Sequence, residues 1–409
     1  MDRADYVDVA VIGAGTVGLC AAAALLREGL RVALIDPRPA HSLIDSTFDG
    51  RDVALSNGIL AWLDELKLTR NLSTQERCPI RGALVSDALN ERTLRFGPAQ
   101  GHEAIGAFIP EHRLRDDVYD AIAQHPRLVC RLGRRVTALH TRSRHVTLTL
   151  DDGESLNASL VAAADGRRSP TRALLGIKHR IQDQAFDMVC LRVAHTQPHD
   201  GWTVQCFDQA GSIARLPLTA HTTSLAMMMR LDEAARMMAL EDEAFVAEIT
   251  ARLGGTLGEI SVASTRYRVP LSGLYAEHFA APRAVLLGDA AVGMLPITAH
   301  GLNLGLIGVR SLVAEVAHVR DQGGDIGGHA VTAHVARRAQ MTAWPLYTAT
   351  QEVARLFMRQ DSLALKARQV MMTMAGPFEA LVGLSCEQRA ARQVPWLGAL
   401  ARLLPSRRG

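Results

Sequence analysis

Tyr6-Val7-Asp8-Val9-Ala10-Val11-Ile12-Gly13-Ala14-Gly15-Thr16-Val17-Gly18, running on to Asp36, is the stretch that decides the fold class. Residues 6–12 are short, apolar and rich in valine, which predicts a buried parallel strand. Leu19–Glu28 predicts an alanine-rich helix stopped at Gly29, and Arg31–Ile35 a second strand closed by Asp36. Between strand and helix, Gly13 permits a tight turn, Gly15 offers no side chain to block a pyrophosphate, and Gly18 lets the helix lie close to the strand. The helix N-terminus then presents free N–H groups and a partial positive charge. Asp36 is placed to accept hydrogen bonds from ribose hydroxyls. This is a dinucleotide-binding unit; it suits FAD or NAD equally and argues against NADPH at this position.

Two later segments narrow the choice. Val146–Leu150 and Leu160–Ala164 read as strands around an Asp151-Asp152-Gly153 turn, and the second runs into Asp165-Gly166-Arg167-Arg168-Ser169. An ordinary surface Asp-Gly turn has the same two residues. The apolar strand leading in, with Ser169 and Arg172 following, sets this one apart. Further on, a strand over Ala284–Leu287 ends at Gly288-Asp289, an acid placed for a polyol such as ribityl. Ala290 and Ala291 leave room for a bulky ligand. After Pro296, Gly301-Leu302-Asn303-Leu304-Gly305 opens a helix to about Val319 whose amides can support negative charge on a reduced ring. The order and spacing of the three segments point to FAD. The cofactor-binding candidates are Gly13, Gly15, Gly18, Asp36, Asp165, Gly166, Asp289, Gly301, Leu302 and Asn303.

Bulk properties agree with an enzyme built from two or three units. The 409 residues exceed one ordinary core. With 48% apolar and 21% charged residues the chain reads as globular. A net charge of +3, without any dense Lys/Arg block, excludes a nucleic-acid surface. The six cysteines are scattered, with no ligand spacing to histidine, so neither a metal site nor a disulfide framework is expected; buried free thiols in a reducing, cytoplasmic setting are. Residues 7–35 are apolar, but glycines and Arg27 and Glu28 interrupt them, which reads as strand, turn and helix rather than a leader. No uninterrupted apolar run of about 18 residues occurs, so no spanning helix is expected.

Taken together these motifs resemble the flavin-dependent aromatic hydroxylases of the para-hydroxybenzoate hydroxylase fold, class A flavin monooxygenases. They are most similar to the ubiquinone-biosynthesis hydroxylases, and the resemblance covers nearly the whole chain. It implies an α/β fold: a Rossmann-like FAD-binding domain with an inserted antiparallel-sheet substrate domain and a helical C-terminal region. The FAD-binding domain would comprise residues 1–75, 101–180 and 278–335, the substrate domain 76–100 and 181–277, and the C-terminal helical region 336–409. Gly50-Arg51-Asp52-Val53-Ala54-Leu55-Ser56 resembles the family's arginine-containing segment, which implies that Arg51 contacts the FAD phosphates. Phe108 to Leu114 resembles the strand-to-helix entry near the ribityl chain, with Glu111 close to where the family presents an amide. Residues 198–218, Tyr267 to Leu271, and Arg355-Leu356-Phe357 resemble the substrate sheet, the return to the FAD domain, and the C-terminal helices.

The implied activity is FAD-dependent hydroxylation of a phenolic ring with O2, through a flavin C4a-hydroperoxide, with NAD(P)H as a transient reductant. No second GxGxxG with its own strand and acid is present to house NAD(P)H. A prenylated ubiquinone precursor is the implied substrate; another phenolic or polyketide metabolite, or a flavoprotein subunit without turnover in a biosynthetic complex, are the alternatives. A halogenase is disfavoured because Trp-x-Trp-x-Ile is absent. The third motif departs from the family's Gly-Asp-Ala-Ala-His and Gly-Gln-Gly: Val292 replaces the histidine, Ala299-His300-Gly301 the glycine pair, and Gly308 a common acid. Pro296 would line the cavity. His300 either helps deprotonate the phenol or merely packs the loop as glutamine would. Met227, Met228 and Met229 alternate faces on a strand and serve either as core or as an adaptable lining. Val394-Pro395-Trp396-Leu397 through Arg408 either packs on the protein or rests peripherally on the inner face of a membrane to collect a lipophilic substrate. A homo-oligomer is left open.

Overall fold

A computed structural model of the chain describes residues 6–43, 47–89, 92–98, 103–359 and 361–375. Strand β1 (Tyr6–Ile12), helix α1 (Thr16–Arg27) and strand β2 (Val32–Asp36) form the expected unit. Around β1 the sheet is parallel. It runs Ala284–Leu286, Ser155–Ala163, β1, β2, Leu128–Leu132, with register Val9↔Val32, Ile12↔Ala163 and Ala163↔Leu286. Parallel neighbours lie about 4.8 Å apart and end on the same edge. Gly13, Ala164 and Gly288, each just past its strand, therefore emerge side by side, at the carboxyl ends where open α/β sheets take ligands. The alanines of α1 let it lie flat between this sheet and helices Glu111–Ile122 and Gly301–Asp321, in a core with Leu19, Leu25, Leu114, Val118, Leu306 and Val309.

The second strand of the 151–153 hairpin begins at Ser155, earlier than expected. The tight turn allows pairing to start at once, Thr149↔Ser155 through Val146↔Ala158.

A second sheet of nine strands carries the middle of the chain. Strand His179–His195 pairs antiparallel with Tyr267–Ala276 on one side and Thr222–Arg230 on the other, followed by Gly211–Pro217 and Trp202–Phe207. One pairing departs from the antiparallel expectation: Gly82–Asp87 lies parallel to Trp202–Phe207. That strand comes far earlier in the chain and is not joined to its neighbour by a hairpin, so no tight turn imposes the antiparallel sense. Helices Leu231–Ala239 and Asp242–Arg252 cover one face, packing Met237, Phe245 and Ile249 on Val189, Leu191, Met227 and Met229. Met228 points the other way, towards Leu271, Leu295 and Ala354. All three methionines are buried.

Two pairings cut across the expected divisions. Cys78–Ile80 joins Gly106–Pro110 and Asp52–Ser56 in a separate three-stranded sheet instead of the substrate sheet. Val292–Gly293, within the third motif, adds an edge to Tyr267–Ala276 of the substrate sheet. Helix His329–Met358 spans the expected bound at residue 336, and helix Ser362–Ala375 follows it. The latter docks on the second sheet through Met372 and through Arg368, whose guanidinium donates twice to Asp87 at 3.1 Å, both of these last two side chains wholly buried.

Among the described residues one helix, Gly301–Asp321, is long and apolar enough to cross a membrane; Leu306, Val309, Leu312 and Val316 bury it in the core instead. Cys20, Cys78 and Cys190 are buried as expected, but Cys130 is exposed and Cys206 half-buried, because both sit on strands with one open face. Cys386 and the 394–408 segment lie outside the described residues.

Candidate active site

The glycines of the first motif have distinct roles. Gly13 adopts φ +104°, and a Cβ there would fall 2.4 Å from the Ala164 carbonyl oxygen; one at Gly18 would fall 1.8 Å from that of Gly13. Those two hold strand, turn and helix together. At Gly15 a Cβ would meet nothing within 4 Å, and no side chain caps α1, so the first-turn amides look onto open space. This cradle fits a pyrophosphate.

Asp36 is almost wholly buried. Its Oδ2 accepts the Ala14 N–H at 2.6 Å, and Arg38 reaches both oxygens at 2.9 and 3.1 Å. Burial raises its pKa, but the Arg38 and Ala14 hydrogen bonds outweigh that and hold the carboxyl below the ordinary range. Asp36 thus braces the glycine turn as well as closing β2. Arg38 was not foreseen; its signal was only a basic residue two places after the acid.

Opposite the cradle, Glu111 Oε1 accepts from Thr16 Oγ1 at 2.8 Å, and its Oε2 pairs with Arg51 at 2.9 Å. Arg51 also pairs with Asp49 at 2.7 Å and stays half-exposed. Burial would lower its pKa, but Glu111, Asp49 and the more distant Asp289 keep it raised. The guanidinium therefore keeps its charge beside Glu111, which itself contacts the first residue of α1.

In the second motif the Asp165 carboxylate turns inward. It accepts from Ser169 Oγ and from the Thr171 N–H at 2.9 Å, while Ser169 Oγ accepts the Arg172 N–H. Together these cap helix Pro170–Leu174, with Pro170 at its first position. Gly166 takes φ +81°, a left-handed conformation suited to glycine. Two arginines tie this motif to the third. Arg172 Nη1 donates to the Ala290 carbonyl at 3.0 Å. Arg167 donates to Asp289 and to the Ser272 and Met294 carbonyls. Sequence reasoning gave Arg167 no role.

Past Asp289, exposed Pro296 starts a single turn, Pro296–Thr298, directly after buried Leu295. Ala299 follows at φ +52°, then half-buried His300 immediately before helix Gly301–Asp321. Asn303 fastens this entry: its Oδ1 accepts the Ser56 N–H at 3.0 Å, and its Nδ2 donates to the Ala54 carbonyl at 2.7 Å. A Cβ at Gly301 would meet nothing within 4 Å. Leu302 is half-buried beside the main core. The structure joins Thr16, Glu111 and Arg51 by direct contacts, and Asp289 lies close enough to act on the Arg51 charge. Val292 and Gly308 line a water-sized cavity of about 30 Å³ with Gly288, Ala291, Leu304 and Gly305. Among the described residues no cluster could hold a metal ion.

A family model described as an FAD binding domain matches residues 6–342. The chain is 31% identical to ubiquinone hydroxylase UbiM of Neisseria meningitidis serogroup C over 388 residues, covering 94% of this chain and 84% of the relative. It is 30% identical to ubiquinone hydroxylase UbiL of Rhodospirillum rubrum, covering 89% and 84%. The fold matches p-nitrophenol 4-monooxygenase PnpA of Pseudomonas putida at a TM-score of 0.75 and 18% identity, over 95% of this chain and 100% of that one. The chain therefore belongs to the FAD binding domain family and is a flavin-dependent monooxygenase.

Proposed function

We propose that the protein hydroxylates the phenolic ring of a prenylated ubiquinone precursor with O2 and NAD(P)H. The relatives' names as ubiquinone hydroxylases support the pathway. One structural observation supports the substrate class: Leu295 and Ile297, within the third motif, pack in an apolar cluster with Phe186, Met188, Met228, Leu271 and Met358. The methionines of that cluster repack around a lipid-like substrate more readily than rigid polar side chains would.

In this reading the α1 amides and Gly15 face the pyrophosphate, with Arg51 as their cation and Glu111 orienting it. Asp36 orders the ribose end, Asp165 and Gly166 shape the neighbouring turn, and Asp289 takes a ribityl hydroxyl. The amides of Gly301, Leu302 and Asn303 face the electron-rich side of the reduced ring. Bound FAD, once reduced, supplies the chemistry that activates O2. Pro296 borders the substrate, and His300 receives the phenol proton.

The test is direct. Purified protein is reduced with NADH or NADPH and exposed to oxygen with prenylated phenols, and products are read by mass spectrometry. Addition of one oxygen atom to the ring is expected. Flavin that reoxidises without product from any prenylated phenol would sink the reading. A His300→Gln variant with unchanged turnover and pH profile would remove the proton-accepting role.

A further inference from the structure

We propose that Arg167 is a positioning residue for the bound flavin, setting Asp289 and the Met294–Pro296 turn in one geometry and linking both to the substrate sheet. The proposal rests on FAD lying along the three motifs. Arg167 follows the Asp165-Gly166 turn, yet its guanidinium works far away in sequence. Nη1 donates to the Ser272 carbonyl at 2.8 Å, on strand Tyr267–Ala276. Nη2 donates to Asp289 Oδ2 and to the Met294 carbonyl, both at 3.2 Å. Three segments thus meet at one planar fork: the substrate sheet, the acid of the third motif, and the turn that leads to Pro296.

The path of the side chain is as telling as its ends. Arg167 Nε is buried with no hydrogen-bond partner among the described residues, where the side chain crosses Gly293. A Cβ at Gly293 would stand 2.7 Å from Nε. Gly293 has no positive φ to explain it, so its bare Cα is there to let Arg167 pass. Stability alone does not account for this. The Arg167–Asp289 pair is partly exposed, with side chains 31% and 41% accessible, and such pairs contribute little to stability. What the fork does is geometric. With Oδ2 held by Arg167, Asp289 Oδ1 has no partner among the described residues and is left for a hydroxyl donor. A lysine could place a charge here but could not serve two carbonyls and a carboxylate in one plane.

The experiment uses the full chain as Arg167→Met, Arg167→Lys and Gly293→Ala. For each, apoprotein melting is measured first, then FAD affinity by fluorescence quenching, then the visible circular dichroism of the bound flavin. Arg167→Met and Gly293→Ala should each weaken FAD binding by about tenfold or more, the loss of charge-assisted hydrogen bonds at the ribityl acid. They should also alter the flavin dichroism, while the apoprotein melts within about 2 °C of wild type. Arg167→Lys should recover part of the affinity and little of the dichroism. Wild-type affinity and dichroism in both disruptive variants would overturn the proposal. So would an apoprotein melting drop that fully parallels the loss of affinity, since that marks a purely structural role. Wild-type apoprotein that takes up no FAD would overturn the site reading itself, and the proposal with it.

Discussion

Ala299 sits at φ +52°, ψ +25°, where the family carries glycine. A left-handed non-glycine residue costs roughly 1–2 kcal/mol, and glycine gives back about 0.4–1 kcal/mol through a freer unfolded chain. Ala299→Gly should therefore stabilise the protein by up to about 1 kcal/mol, read as a higher urea midpoint at unchanged slope. A lower midpoint would show that the residue does not hold this conformation. His112 makes a second residue-scale prediction. It is buried edge-on to Phe48, with ring centroids 6.0 Å apart. Burial first, and the nearby Arg192 charge next, hold its pKa below the ordinary 6.5. The folded imidazole stays neutral while the unfolded one takes up a proton at about 6.5. Its share of stability is then intact above that pH and lost as pH falls towards the folded pKa. Melting between pH 7 and 5 should decline, and His112→Gln should flatten part of that decline; an identical slope in the variant would refute the assignment. At this scale the sequence was only partly readable. Asp165 looks like a ligand acid, yet it is satisfied within six residues, and the Ser169-Pro170 cap signal was there to be seen. Arg167 gave no local sign because its partner Asp289 is 122 positions away.

Elements were more legible where propensity, pattern and turn chemistry agree. β1, α1 and β2 lie within a few residues of their expected bounds because a valine strand, a glycine turn and an alanine helix admit no other arrangement. The parallel pairing of Gly82–Asp87 with Trp202–Phe207 was not legible, since nothing within either strand specifies a neighbour more than 100 residues away. The docking of helix Ser362–Ala375 was equally silent, for it rests on contacts distant in sequence: the buried pair of Arg368 with Asp87, under the Phe357 ring at 4.8 Å, and Met372 packed with Leu94 and Phe207. Removing one partner strands a buried charge, so Arg368→Met should destabilise by about 3 kcal/mol. Adding Asp87→Leu should restore most of that, because apolar replacement of a buried pair is often near neutral. Urea unfolding of the two variants distinguishes this from a pair without energetic weight, in which case both would match wild type.

For the whole molecule, the sequence separated three motifs by more than a hundred residues each, and the parallel register Ile12↔Ala163↔Leu286 puts them on one edge. Strand pairing and side-chain contacts also cross the domain divisions drawn along the sequence. Arg192 of the substrate sheet pairs with the wholly buried side chain of Asp52 and lies over the Phe48 ring at 3.9 Å. Tyr267 donates to the Phe48 carbonyl at 2.6 Å. Val292–Gly293 belongs by sequence to the cofactor motif and by hydrogen bonding to the other sheet. That shared strand bears on how such proteins diversify. A recombination event that exchanged residues 181–277 between relatives would bring in a sheet whose edge was shaped for a different flavin loop. Viable chimeras should cluster among those that inherit residues 288–296 from the same parent as the sheet, so the unit of inheritance for substrate choice is larger than the inserted domain.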